Sequence, residues 1–121
     1  MSSTSLGKWR ASFCALGFAA VAFGAFGAHA LRDKVTPQDL ENWKTATLYL
    51  LAHTLAGLVS LTNCRKKHAP AFFLAGCIIF PFSLYALVLS GVRGLGAVTP
   101  LGGLCFLAGW LLFARDSLRS E

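Results

Sequence analysis

With 121 residues, 55% of them hydrophobic and only 13% charged, the chain has too little polar material to dress a water-soluble fold. Its net charge of +6 sits in short clusters between apolar runs. A nucleic-acid surface would gather basic residues on one face, so that partner is not expected; the clusters read instead as topology signals and contacts for membrane lipids. Cys14, Cys64, Cys77 and Cys105 form no C-x-x-C pair and have no matching histidine spacing, so neither a metal site nor a disulfide framework is expected. Beside Arg65, Lys66 and Lys67, the Cys64 thiol is placed to be acidified.

The first apolar run, Ala11 to Leu31, follows a polar, acid-free leader, Met1 to Arg10. Its length meets the roughly 20 residues that a helix needs to cross a bilayer. Lys8 and Arg10 with Ala28-His29-Ala30 also resemble a signal peptide, but the apolar stretch exceeds the roughly 7–15 residues typical of one. A polar stretch, Arg32 to Lys44, comes next. Within it Thr36-Pro37-Gln38-Asp39 predicts a helix start: a capping hydroxyl, a proline where no N–H is needed, and an acid at the positive end of the dipole. That helix runs to about Asn63, with Trp43 and Lys44 spaced for the head-group layer. Arg65 to His68 is a turn. The third run, Ala69 to Ser90, carries Pro81, where a kink is expected and Ser83 is placed to satisfy the freed backbone. Gly91 to Gly96 breaks the chain, and Thr99-Pro100 repeats the cap-plus-proline device. One shared dipeptide is thin support for an internal duplication.

The expected fold is therefore all-α: one membrane domain over residues 1–121, with spans at about 11–31, 45–62, 69–90 and 98–115 forming a four-helix bundle of two hairpins. Lys8, Arg10, Arg65, Lys66, Lys67, Arg115 and Arg119 fall on one side, against Arg32, Lys34, Lys44 and Arg93 on the other. That asymmetry puts Ser2, Lys66 and Glu121 on one side, cytosolic or matrix-facing.

Two sets of small residues, Ala11/Ala15/Ala19 and Ala20/Gly24/Ala28, recur every four residues along the first span and favour close helix contact. Polar groups at membrane depth are His29, Tyr49, His53, Ser83 and Tyr85. Tyr49 and His53 share a helix face, and His53 is the deepest; Ser83 or Tyr85 is its expected partner. His29 and His53 differ in depth, so they do not suit one haem iron. No motif for hydrolysis, metal binding or phosphate cradling occurs, no cofactor is implied, and Arg93 in the glycine-rich turn is a candidate for a lipid phosphate.

The strings Gly24-Ala-Phe-Gly-Ala-His-Ala-Leu31, Trp43-Lys-Thr-Ala-Thr-Leu-Tyr-Leu-Leu-Ala-His53, Gly96-Ala-Val-Thr-Pro-Leu-Gly-Gly-Leu104 and Leu107-Ala-Gly-Trp110 resemble the bacterial YgdD proteins and the eukaryotic transmembrane protein 256. The resemblance covers nearly the whole chain. It implies a four-span protein of the bacterial inner membrane or an organellar membrane, and it supplies no reaction. Its signature positions map onto His29, Trp43, Thr45, Ala46, Tyr49, His53, Thr99, Pro100, Gly102 and Gly103.

Partner or ligand contacts are thus expected at Gly24, His29, Trp43, Tyr49 and His53. The functional expectation is a non-enzymatic accessory or assembly subunit among other membrane protein subunits, in an energy-transducing complex. The competing expectation is a small-solute or proton-handling protein working through Tyr49 and His53.

Overall fold

The Ser2 hydroxyl accepts the Ser5 amide at 3.2 Å and opens the first helix, α1, Ser3–Phe26. The helix thus begins eight residues ahead of the apolar run expected to span the membrane from about residue 11. Nothing between Ser3 and Arg10 breaks a helix, and a serine cap stands ahead of them. The computed structural model describes residues 2–119; Glu121, one of the positions expected on the terminal side, lies outside them. A five-residue π-turn, Gly27–Leu31, continues α1 to the end of the first span.

The predicted start of the second helix holds. Thr36 Oγ1 accepts the Asp39 amide at 3.1 Å, Pro37 takes the first helical position, and α2 runs Pro37–Asn63. Helix α3, His68–Ser90, passes through Pro81 without interruption and ends at Gly91, whose φ of 73° favours a residue without a Cβ. Ser83 donates to the Phe80 carbonyl at 2.9 Å. A short 3-10 turn, Arg93–Ala97, leads into α4, Thr99–Arg119.

Here the expectation of a second Thr-Pro cap needs correction. Val98 is already in the right-handed helical region, and the Thr99 hydroxyl pairs with Ser83 Oγ across the hairpin at 2.6 Å. Thr99 joins α3 to α4 where Thr36 caps its own helix. The two Thr-Pro pairs do different work.

Two antiparallel seams organise the packing. On α1 and α2, Phe13 faces Gly57, Gly17 faces Thr54, Gly24 faces Thr47 and Gly27 faces Trp43. On α3 and α4, Phe73 faces Gly109, Gly76 faces Phe106, Phe80 faces Gly102 and Ser83 faces Thr99. Along α3 and α4 these positions alternate three and four residues apart, and along the first span and α2 they fall at gaps of three, four and seven, the spacing of a left-handed coiled seam. In several pairs a glycine notch receives an aromatic ring. This corrects the every-fourth-residue stripes: Ala20 and Gly24 reach the seam, whereas Ala11, Ala15 and Ala28 are exposed.

Helices α2, α3 and α4 surround the core, and α1 packs on the flank of α2, with Phe23 reaching Phe82 and Tyr85 of α3. All four helices are long and apolar enough to cross a membrane. Large apolar side chains such as Phe18, Leu107 and Leu111 cover the outside. In lipid that surface is ordinary, because the surrounding chains are equally apolar. The antiparallel seams bring both ends of the described chain to the side of the Cys64–Lys67 turn. The molecule is an all-helical bundle of four transmembrane helices.

Candidate functional site

His53 is 7% exposed, in the middle of α2, and both ring nitrogens are occupied. Trp110 Nε1 of α4 donates to His53 Nε2 at 3.0 Å. An indole N–H can only donate, so Nε2 accepts, and the proton of the neutral ring sits on Nδ1. From there it donates to the Tyr49 carbonyl at 2.8 Å. The Phe106 ring stacks on the imidazole at 3.7 Å between centroids, and Phe73 and Trp110 meet it at steeper angles. Neither expected partner is used. Ser83 is held by Phe80 and Thr99, and the Tyr85 hydroxyl meets Thr47 Oγ1 at 2.7 Å. Tyr49 contributes its carbonyl and its ring face to His53. An imidazolium here would place a new N–H against the indole N–H and break the Trp110 bond.

Toward the end of the bundle opposite the termini lies a second cluster around Trp43. This side chain is 1% exposed, so its expected place among lipid head groups is corrected. Its ring fills the notch at Gly27, where any Cβ would collide with the indole, and its Nε1 donates to the Phe23 carbonyl at 2.7 Å. Phe23 and Tyr85 close around it. A buried indole seeks both an apolar cage and an acceptor, and α1 supplies both. Beside it an open groove of about 270 Å³ runs between α1 and α2, lined by Gly24, Gly27, Ala28, Trp43, Lys44, Thr47 and Leu48. Gly24 lies on the groove wall, and a Cβ there would come within 3.3 Å of the Thr47 methyl.

Arg93 forms a two-pronged ion pair with Asp39, Nη1 to Oδ1 at 2.8 Å and Nη2 to Oδ2 at 3.0 Å. Asp39 is 6% exposed, while the arginine side chain remains 62% exposed. The pair ties the start of α2 to the turn before α4. His29 is exposed in the π-turn, about a dozen residues of helix from the level of His53, or roughly 18 Å at 1.5 Å per residue. The structure therefore gathers Gly24 and Trp43 at one site, Tyr49 and His53 at another, and His29 and Arg93 at neither.

The described cysteines are free thiols. Cys64 departs from its expected chemistry. It is 4% exposed, and burial, reinforced by Asp116, raises its thiol pKa above the ordinary value while Lys67 and Arg115 pull the other way. Lys67 Nζ donates to the carbonyls of Cys64 and Leu61, so its acidifying pull on the sulfur does not outweigh burial. A raised pKa shrinks the thiolate fraction at neutral pH. In a variant whose only thiol is Cys64, alkylation by iodoacetamide should still be accelerating as pH rises past 9. A rate that levels off below pH 8.5 would contradict the burial of this thiol.

Residues that single-chain reading missed are Trp110, Gly27 and Asp39. Gly27 had a signal, since Gly17, Ala20, Gly24 and Gly27 carry the alternating spacing of a seam. Asp39 stood in the predicted helix start and Trp110 in one of the family-like strings, but their pairings had no local signal, because the partners are 54 and 57 positions away.

The fold and these sites define a polytopic membrane protein with four spans. Residues 23–103 match the family described as "Protein of unknown function (DUF423)", and the chain belongs to that family. It is 41% identical over 105 residues to a UPF0382 membrane protein of Staphylococcus epidermidis, covering 83% of this chain and 86% of the relative. A Staphylococcus aureus UPF0382 membrane protein is 42% identical over 98 residues, covering 77% and 80%. These matches agree with the resemblance seen in the sequence strings. No solved structure matches the chain.

Proposed function

We propose that this protein is a non-catalytic accessory or assembly subunit of a larger complex, such as a respiratory one, in the bacterial inner membrane or its mitochondrial counterpart. The observation that carries the reading is the closed state of His53. This mid-span histidine gives one nitrogen to Trp110 and the other to the Tyr49 carbonyl, and aromatic rings pack its faces. A proton carrier needs a nitrogen that can take up and release a proton, whereas a packing element needs both satisfied. The basic-residue asymmetry supports termini in the cytosol or matrix.

Purification of the tagged full chain in mild detergent, followed by a native gel and mass spectrometry, tests this. A stoichiometric set of larger membrane proteins is expected in the same band. Migration as the isolated chain, together with proton or solute flux in liposomes that is lost in His53→Gln, would replace the subunit reading with the transport one.

A further inference from the structure

We infer that the groove between α1 and α2 is a binding site for one anionic phospholipid, with an acyl chain against Gly24, Thr47 and Leu48 and the phosphate on Lys44. The groove's volume of about 270 Å³ is bounded by apolar or small groups on both walls, and Gly24 and Gly27 keep the α1 wall low. Its lining changes character along the helix axis. Lys44 stands one turn nearer the membrane surface than Leu48, about 6 Å at 1.5 Å per residue.

A cationic end at head-group level and an apolar end below it match a phospholipid in its normal orientation. A soluble anion would use only Lys44. Of the basic residues on this side, Lys44 is the one that lines the groove. Its ion pair with Glu41 is 3.4 Å long with both side chains largely exposed, the kind that contributes little, whereas Arg93 is committed to Asp39 at 2.8 and 3.0 Å. Trp43, spaced for the interface by sequence, is fully turned inward and forms the rigid floor of the groove.

The test uses the full chain in detergent with phosphatidylglycerol or phosphatidylcholine of the same acyl composition, read by native mass spectrometry. One phosphatidylglycerol per chain should be retained, about fivefold in preference to phosphatidylcholine, the ratio expected from roughly 1 kcal/mol per lysine near an anionic head group. Lys44→Gln should bring the two lipids to parity without moving the thermal midpoint, since the lysine is exposed. Gly24→Leu should fill the groove and remove both lipids. If that variant does not fold, Leu48→Trp fills the groove from the opposite, exposed wall. Equal retention of the two lipids by the parent would overturn the inference, and so would a phosphatidylglycerol preference that survives Lys44→Gln. Displacement of the lipid by soluble glycerol phosphate would reduce the site to a bare anion contact and overturn it as well. None of these outcomes bears on co-purification with larger partners, so the two readings stand or fall separately.

Discussion

Gly102→Ala is expected to be among the most damaging single-methyl additions in the chain, lowering stability by about 2–3 kcal/mol, the upper range for overpacking a tight core. A Cβ at this position would lie 2.5 Å from the Phe80 amide nitrogen, 2.7 Å from the Phe80 Cβ and 2.8 Å from its Cα. These atoms belong to the backbone of α3 or are fixed to it, so no change of rotamer relieves the clash. The helices must separate, and the separation loosens Phe73 against Gly109, Phe106 against Gly76, and the Ser83–Thr99 bond in the same seam. Between lipid-embedded helices, close packing and hydrogen bonds carry the association, so the loss is not offset by apolar burial elsewhere. Gly103→Ala is the matched control, because its Cβ would meet only the outer ring of Phe80, at 3.9 and 4.0 Å. Thermal unfolding in detergent should separate the two by several degrees. Two indistinguishable variants would show that α3 and α4 do not approach this closely.

A double-mutant cycle on His53 and Trp110 should show strong coupling. His53→Leu leaves the indole N–H without its acceptor, and Trp110→Phe leaves Nε2 without its donor. Each single change is expected to cost about 0.6–2 kcal/mol, the scale of hydrogen bonds between membrane helices. Once one partner is gone, removing the other adds little, so the double variant should fall short of the sum by about 0.6–1.7 kcal/mol. His53→Gln keeps an acceptor for Trp110 and should stay near the parent. Strict additivity of the two changes would mean that the bond contributes nothing to folding. Pairing these measurements with a growth or respiration phenotype extends the cycle to function. A role confined to packing requires activity to follow stability across the series, and a proton-handling role requires activity to vanish in His53→Gln while the protein stays folded.

The features legible in the chain were the local ones. Four runs long enough to cross a bilayer, and the start of α2 at Thr36-Pro37, depend on residues within a few positions of one another. Thr99-Pro100 looked identical by the same local rule, yet Thr99 bonds Ser83 sixteen positions away. Trp43 and Lys44 had interfacial spacing, but the inward turn of Trp43 depends on a notch at Gly27 in another helix. Small residues on the first span announced close packing, while the choice between a four-residue stripe and a three-four seam depended on which α2 side chains face it, Trp43, Thr47 and Thr54 among them. The site at His53 was half visible: the histidine and Tyr49 share a face within one helix, but Trp110 enters from α4, and pairings of that range leave no local pattern.

The Asp39–Arg93 ion pair also bears on the order in which the protein is made. Asp39 emerges with α2, whereas Arg93 follows α3 and must be carried to the side of the membrane opposite the termini before the two can meet. Until α3 has crossed, Asp39 lacks the Arg93 guanidinium, and the start of α2 is held by local contacts such as the Thr36 cap. Closing this clasp is therefore a late event in biogenesis. The pair forms only when the second hairpin has inserted in this direction, since an inverted hairpin would leave Arg93 on the other side of the bilayer.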